Sequence, residues 1–285
     1  MLQAPSNTEI RQAVSQDITA ITDFVDKASL THRHLDWRPL VEWVSQPPFL
    51  LRFANQQLTA LLSCAPDPEG VAWIHAFIMD HWSNQVNAVW HSLFEPALIE
   101  LAVTRCQVFS LSLSDWYTRL LRSSGFTPFE NIVVLHWGRE VPPVKNMPPE
   151  VLIRPMEPAD LNQVAEVDRQ TFEAAWVISR ASLERAYLQS AHASVAEVNE
   201  QIIGYELSTA SSLSSHLARL AVLPEFRHLN IGYSLVAQLL EYFTQRGIWQ
   251  ITVNTQDNNQ ASLSLYKKLG FFQTSESFPV FTKSG

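Results

Sequence analysis

The chain has 285 residues, enough for two domains that each bury a core of their own. Hydrophobic residues make up 46% and charged residues 17%, the balance of a globular chain and not of a disordered one. A formal net charge of −8 at pH 7 argues against a broad nucleic-acid footprint, so any anionic ligand must be held by a local site.

Cys64 and Cys106 lie far apart, without Cys-x-x-Cys or Cys/His ligand spacing. Buried, reduced thiols are expected, and neither a disulfide nor a metal site. The first residues have no basic start and no apolar run, and no apolar stretch approaches the ~20 residues that cross a bilayer. A soluble, cytoplasmic protein is expected, with neither a membrane nor a nucleic acid as partner.

Taken in order, Ile10-Arg11 opens a short strand leading to a helix capped by Asp17 or a residue just before it. His32-Arg33-His34-Leu35-Asp36-Trp37-Arg38 reads as a solvated loop, the alternative being that it faces a substrate. Residues 49–54 and 57–64 form neighbouring strands turning at Asn55-Gln56, and 71–79 a third. A helix over 84–102, a strand over 107–113, a helix over 116–122 and a strand over 131–137 complete this half. Trp73, Trp82, Trp90 and Trp116 are expected in its core. Two Pro-Pro pairs make 141–150 an extended linker between a domain at 1–140 and one at 151–285.

The second half predicts a strand at 151–154, helices at 159–171 and 182–189, and strands at 194–198, 202–208 and 216–223. A helix at 231–246, a strand at 250–254, a helix at 260–269 and an end strand near 279–282 follow. Hairpins first and a strand–helix–strand unit later describe an α/β (α+β) fold, a mixed, mainly antiparallel sheet flanked by helices.

The halves resemble each other. Ile10-Arg11 with Asp17 is answered without a gap by Ile153-Arg154 with Asp160, and Gly125-Phe126 near the first end by Gly270-Phe271 near the second. The spacing from opening Ile to closing Gly is 115 residues in one half and 117 in the other. A tandem duplication is expected.

The stretch 215–235 stands apart. An apolar strand is broken by Pro224, passes through a polar turn and restarts as a helix at Ile231. A turn that points N–H groups outward, next to a helix N-terminus, traps phosphate oxygens. Arg219-Leu-Ala-Val-Leu-Pro-Glu-Phe-Arg227-His-Leu-Asn230-Ile-Gly232, followed by Asn259 through Tyr266 to Gly270-Phe271, resembles the GNAT superfamily of acetyl-CoA-dependent N-acetyltransferases. The resemblance covers most of 151–285 and makes the first half a degenerate GNAT-like domain. After its candidate motif strand, that half has Asp80 and neither Arg nor Gly.

The resemblance implies a coenzyme A site. Backbone groups of Leu220, Ala221 and Val222 would pair with the pantetheine arm. The N–H groups of His228, Leu229, Asn230, Ile231, Gly232 and Tyr233 would surround the pyrophosphate, with Arg227 adding charge. Asn230 departs from the family pattern, which has Gly there; Asn is the residue that best tolerates a left-handed backbone. Asn259 would lie near the pantetheine or adenosine end, or cap the helix that follows.

Acetyl transfer needs a neutral amine, a donor for the carbonyl oxygen and a proton for the departing thiolate. By the same resemblance Tyr266 supplies that proton. His216 and Glu206 are the two candidates for base; the alternative for His216 is a solvated strand-end His, and for Glu206 binding of a cationic amine or a solvent-facing place. The expected function is an acetyl-CoA-dependent N-acetyltransferase acting on the amine of a small molecule or peptide, without metal. The alternative is a non-catalytic acyl-CoA-binding or partner-binding module.

Overall fold

The computed structural model describes residues 8–81 and 85–284. Outside the described residues lie most of the N-terminal segment read above for a leader, Trp82 as a core aromatic, and Asn84 as a helix start. Contacts divide the chain into two compact units, residues 1–129 with 279–285, and residues 130–278. In this division the Pro-rich stretch 141–150 falls inside unit 2, and the chain's last residues return to unit 1. Among the described residues no helix is long and apolar enough to cross a membrane.

Unit 1 opens with β1 (Thr8–Gln12), α1 (Ile18–Lys27) and β2 (Leu30–Arg33). The hairpin β3 (Phe49–Ala54) and β4 (Gln57–Ser63) turns at Asn55 and Gln56, both at positive φ (50° and 66°), as tight two-residue turns require. The stretch 71–79, expected as one strand, is two: β5 (Val71–Trp73) and β6 (Ala76–Met79). The break at Ile74-His75 is a change of partner. β6 pairs antiparallel with β4, whereas β5 pairs parallel with β7 (Gln107–Leu111), which follows α2 (Val86–Val103). α3 (Asp115–Ser123) comes next, and residues 280–284 pair antiparallel with β7. One sheet has the order β1-β3-β4-β6-β2. The α2 residues Trp90, Leu93 and Phe94 are buried in one cluster with Leu62, Phe77 and Tyr117, which removes that apolar surface from water.

The stretch 32–38 is not the solvated loop expected. His32 is 4% exposed and stacks on Tyr117 with ring centroids 3.7 Å apart, and His34 stacks on Trp73. Asp36 accepts from Trp43 Nε1 and the Arg38 N–H, and lies 3.0 Å from His75 Nδ1. β2 adds itself to β6, and its alternation turns Leu30 and His32 inward while Thr31 and Arg33 stay exposed. Trp73 and Trp90 are buried and Trp116 packs against the same core.

Unit 2 holds the later part of β8 (Thr127–Trp137), then β9 (Leu152–Pro155), α4 (Leu161–Thr171), α5 (Arg180–Gln189), β10 (His192–Val198), β11 (Gln201–Ala210) and β12 (Ser214–Val222). α6 (Ile231–Thr244), β13 (Gln250–Gln256), α7 (Gln260–Lys268) and the first part of β14 (Phe271–Ser284) follow; β14 starts well before the expected residue 279 because it runs on from the helix-ending Gly270. β9 to β12 are antiparallel in sequence order, β12 pairs parallel with β13, and β13 pairs antiparallel with β8. Tyr233, Val236, Leu239, Leu240 and Phe243 of α6 are buried in one cluster with Leu217, Ile251 and Val253.

The matching sequences do matching work. Arg11 clasps Asp17 through two hydrogen bonds of 2.7 Å, and Arg154 clasps Asp160 at 2.7 and 2.9 Å. Each Asp also accepts the backbone N–H three residues earlier, from Val14 and Glu157. Both aspartates therefore sit at the helix entry, but their side chains lock the incoming strand and do not cap α1 or α4. The arginine hydrogen bonds hold both carboxyls below the usual range. Gly125 and Gly270 end α3 and α7 at φ 79° and 86°, where a side chain would be strained.

Candidate active site

The site grows from a divergence of two strands. β12 and β13 pair from Ser214↔Gln250 to Leu217↔Val253 and no further. Beyond that rung β12 continues to Val222 and β13 to Gln256, so a wedge opens between them. On its other side β12 stays paired to β11 as far as Gly204↔Val222, which holds the opened edge in the sheet. The register slips at Ala218, the residue next to the last parallel rung. A strand edge with unpaired peptide groups accepts an extended ligand that can hydrogen-bond to it.

At the wide end the chain turns into α6. Residues 224–226 form a 3₁₀ turn, and His228 and Asn230 both adopt the left-handed conformation (φ 66° and 59°). Such a turn presents successive N–H groups on one side, and the start of α6 adds its dipole. A cavity of about 690 Å³ lies here. It is lined by Leu220 and Val222 of β12, by Arg227, His228, Asn230, Ile231, Gly232 and Tyr233, and by Asn259 and Leu265 at α7. A Cβ on Gly232 would meet Leu265 and Val222 at 3.5 and 3.6 Å, ordinary contact. Ala221, on the opposite face of β12, is buried, and Leu229 is 40% exposed; neither lines the cavity. Asn259 Oδ1 accepts from the Ser262 N–H, so it caps α7 while lining the cavity.

The three side chains expected to move protons are placed differently. Tyr266 is 5% exposed, in the buried cluster that includes Leu217 and Val253, the last paired rung. Burial raises its pKa, so it stays a neutral phenol. His216 lies one rung deeper, its Nδ1 2.8 Å from Thr252 Oγ1; burial lowers its pKa, so its imidazole is neutral at pH 7. Glu206 is fully buried on β11, with its carboxylate within hydrogen-bond reach of His192 Nδ1, Ser194 Oγ and Ser208 Oγ. None of the three lines the cavity, whereas Arg227, His228, Asn230 and Gly232 do.

Sequence reasoning missed the opposite wall. Asp168 of α4 is fully buried, and Arg219 donates to both of its oxygens at 2.8 and 2.9 Å, as Tyr205 OH does to one. Arg219 also lies 3.8 Å from the Phe172 ring centroid and donates to the Trp176 carbonyl. This ion pair fixes residues 172–176, of which Phe172, Glu173 and Trp176 line the cavity. Trp176 Nε1 in turn donates to Glu130, another lining residue. The signal was an Asp on the apolar stripe of a helix and an Arg inside an apolar strand. The Pro-rich stretch was missed as well: Lys145 lines the cavity, Asn230 Nδ2 donates to the Asn146 carbonyl and Tyr233 OH to that of Pro143. Among the described residues no group of three or more His, Cys, Asp or Glu side chains is placed to hold a metal ion.

Unit 1 builds the same framework and fills it. Residues 71–79 answer β12 143 positions on, the offset that relates Ile10 to Ile153. The parallel pairing again ends early, at Trp73↔Phe109. Here, however, β2 lies along the freed edge, pairing Leu30↔Met79 through Arg33↔Ala76. A strand of the chain occupies the place left open in unit 2.

Residues 161–271 match the model of the acetyltransferase (GNAT) family. Among curated proteins the chain is similar to the probable N-acetyltransferase camello of Xenopus tropicalis, 29% identical over 94 residues, 31% of this chain and 43% of that protein. It is 30% identical over 82 residues to N-alpha-acetyltransferase 30 of Schizosaccharomyces pombe, 27% of this chain and 55% of that protein. These matches span about half the length of the relatives. A solved tandem GNAT protein from the clavulanic acid biosynthesis pathway superimposes with a TM-score of 0.65 at 12% identity, over 98% of each chain. The fold is that of two tandem GNAT-like domains.

Proposed function

Residues 161–271 belong to the acetyltransferase (GNAT) family, and from that premise we propose that the chain transfers an acetyl group from acetyl-CoA to an amine of a small molecule or peptide by direct attack. The carrying observation is the wedge that leads from the Leu217↔Val253 rung to the left-handed turn and the first residues of α6. An extended pantetheine arm suits the free edge of β12, and its phosphates suit the turn with Arg227 and His228.

In this reading the amine nitrogen attacks the thioester carbonyl, a C–N bond forms, and an N–H on the free edge of β12 stabilises the oxyanion. The C–S bond then breaks, the thiolate takes a proton from Tyr266, and the amine proton leaves to a base. Tyr266 is a neutral phenol at pH 7 and so carries the proton to be donated; the burial that raises its pKa also makes it the weaker acid. His216 is assigned as base: it is neutral, and its Nε2 remains after Nδ1 engages Thr252. Glu206 is the weaker assignment, since three side chains already surround its carboxylate.

Calorimetric titration with acetyl-CoA, followed by thiol release across a panel of amines, amino acids and peptides, tests the reading. Binding with release for at least one amine supports it. Binding without release across the panel points to an acyl-CoA-binding module, and no binding at millimolar ligand ends the reading.

A further inference from the structure

We infer that Lys145, carried by the Pro-rich stretch 141–150, is a phosphate ligand of the acetyl-CoA site, and that Asn230 and Tyr233 are the groups that hold it there. This rests on the acetyl-CoA reading above. A stretch with two Pro-Pro pairs is stiff and extended and lacks four N–H donors, so it makes few bonds of its own. Here it is tied down on both sides of Lys145. Tyr233 OH donates to the Pro143 carbonyl at 2.8 Å, and Asn230 Nδ2 donates to the Asn146 carbonyl at 3.0 Å. Both tethers come from the turn and first turn of α6 that line the cavity.

Between them, Lys145 Nζ sits 4.3 Å from the Tyr233 ring centroid and lines the same cavity as Arg227, His228 and Gly232. Among the described residues it forms no ion pair, whereas Arg227 donates its Nε to the Val222 carbonyl. The cavity lining includes two carboxylates, Glu173 and Glu130, the latter engaged by Trp176 Nε1 and Asn258 Nδ2. A cation held over an aromatic face, without a carboxylate, beside a helix N-terminus, is arranged for a phosphate.

Asn230 is explained by the same geometry. Its backbone adopts the left-handed form that a glycine would adopt (φ 59°), but its side chain caps nothing on α6 and reaches Asn146 instead. Glycine there would preserve the turn and release the tether.

The test is titration of the full chain with CoA and with its phosphate-free portion, pantetheine, at fixed salt. Lys145→Met, which keeps the stem over Tyr233, is expected to bind CoA about five- to tenfold more weakly, and Lys145→Arg to recover most of the loss. Asn230→Gly is expected to weaken CoA several-fold in the wild-type background and less than twofold in the Lys145→Met background. Competition by pantetheine is expected to change less than twofold in every variant. CoA binding by Lys145→Met within twofold of wild type, or equal losses for Asn230→Gly in both backgrounds, overturns the inference and leaves the acetyl-CoA reading standing. A wild type that binds no CoA overturns both.

Discussion

Tyr266 shows how a residue can be named from sequence while its surroundings cannot. Its distance from Gly270-Phe271 marked it, but nothing local said that it would be 5% exposed among Leu217, Val253 and Phe271. The proposed role predicts that Tyr266→Phe lowers kcat about 100-fold or more, the usual size of a lost proton-transfer group, while acetyl-CoA affinity changes less than threefold. A purely packing tyrosine would leave kcat nearly intact, which steady-state kinetics reads directly. Arg219 makes the converse case. It fell inside the quoted motif, yet its buried partner Asp168 lies 51 residues earlier, and no pattern links the two. Removing one partner of a buried ion pair costs about 3–5 kcal/mol. Arg219→Met is therefore expected to lose that much stability in urea unfolding and to loosen the wall at Phe172 and Trp176; a loss below about 1 kcal/mol contradicts the arrangement.

Elements were legible wherever periodicity and breakers agreed. The hairpin at Asn55-Gln56, the helix after Asn230 and the glycines that end α3 and α7 lie where the sequence puts them. What failed were elements whose identity depends on a distant partner. Residues 71–79 are apolar except for His75, and a single His does not show that β5 and β6 part company at Ile74-His75. β2 carries Thr31, His32 and Arg33, a polar run that reads as loop and becomes a strand because β6 offers it a free edge. Its burial has a measurable cost. His32, with the neutral His34 and the Tyr117 phenol beside it, is held down at about 3, chiefly by burial, against an ordinary 6.5 when unfolded. The unfolded chain thus binds the extra proton first, and stability, complete above pH 6.5, falls as pH drops toward 3. At pH 5 this one group accounts for about 2 kcal/mol. Urea unfolding at pH 7.5 and pH 5.0 checks it: in His32→Phe the difference between the two values should shrink by about that amount, and an unchanged difference contradicts the assignment.

Across the whole molecule, a duplicated plan has been put to two uses. The strand–arginine–aspartate lock and the left-handed glycine survive in both units because they hold the framework, whatever the wedge contains. Arg227 and Lys145 line the cavity of unit 2. If the wedge of unit 2 takes CoA, amide hydrogen exchange with and without CoA should show added protection confined to residues 130–278, reaching about 2.7 kcal/mol at a hundredfold excess over Kd. Equal protection in residues 8–81 would contradict that division of labour. The strand β2 gives this asymmetry its meaning. A ligand that is part of the chain cannot be diluted, competed away or used up, so unit 1 is saturated from the moment it folds. If unit 2 takes acetyl-CoA, the two units differ in kind: the edge in one is filled on folding, and the occupancy of the other follows the supply of its ligand.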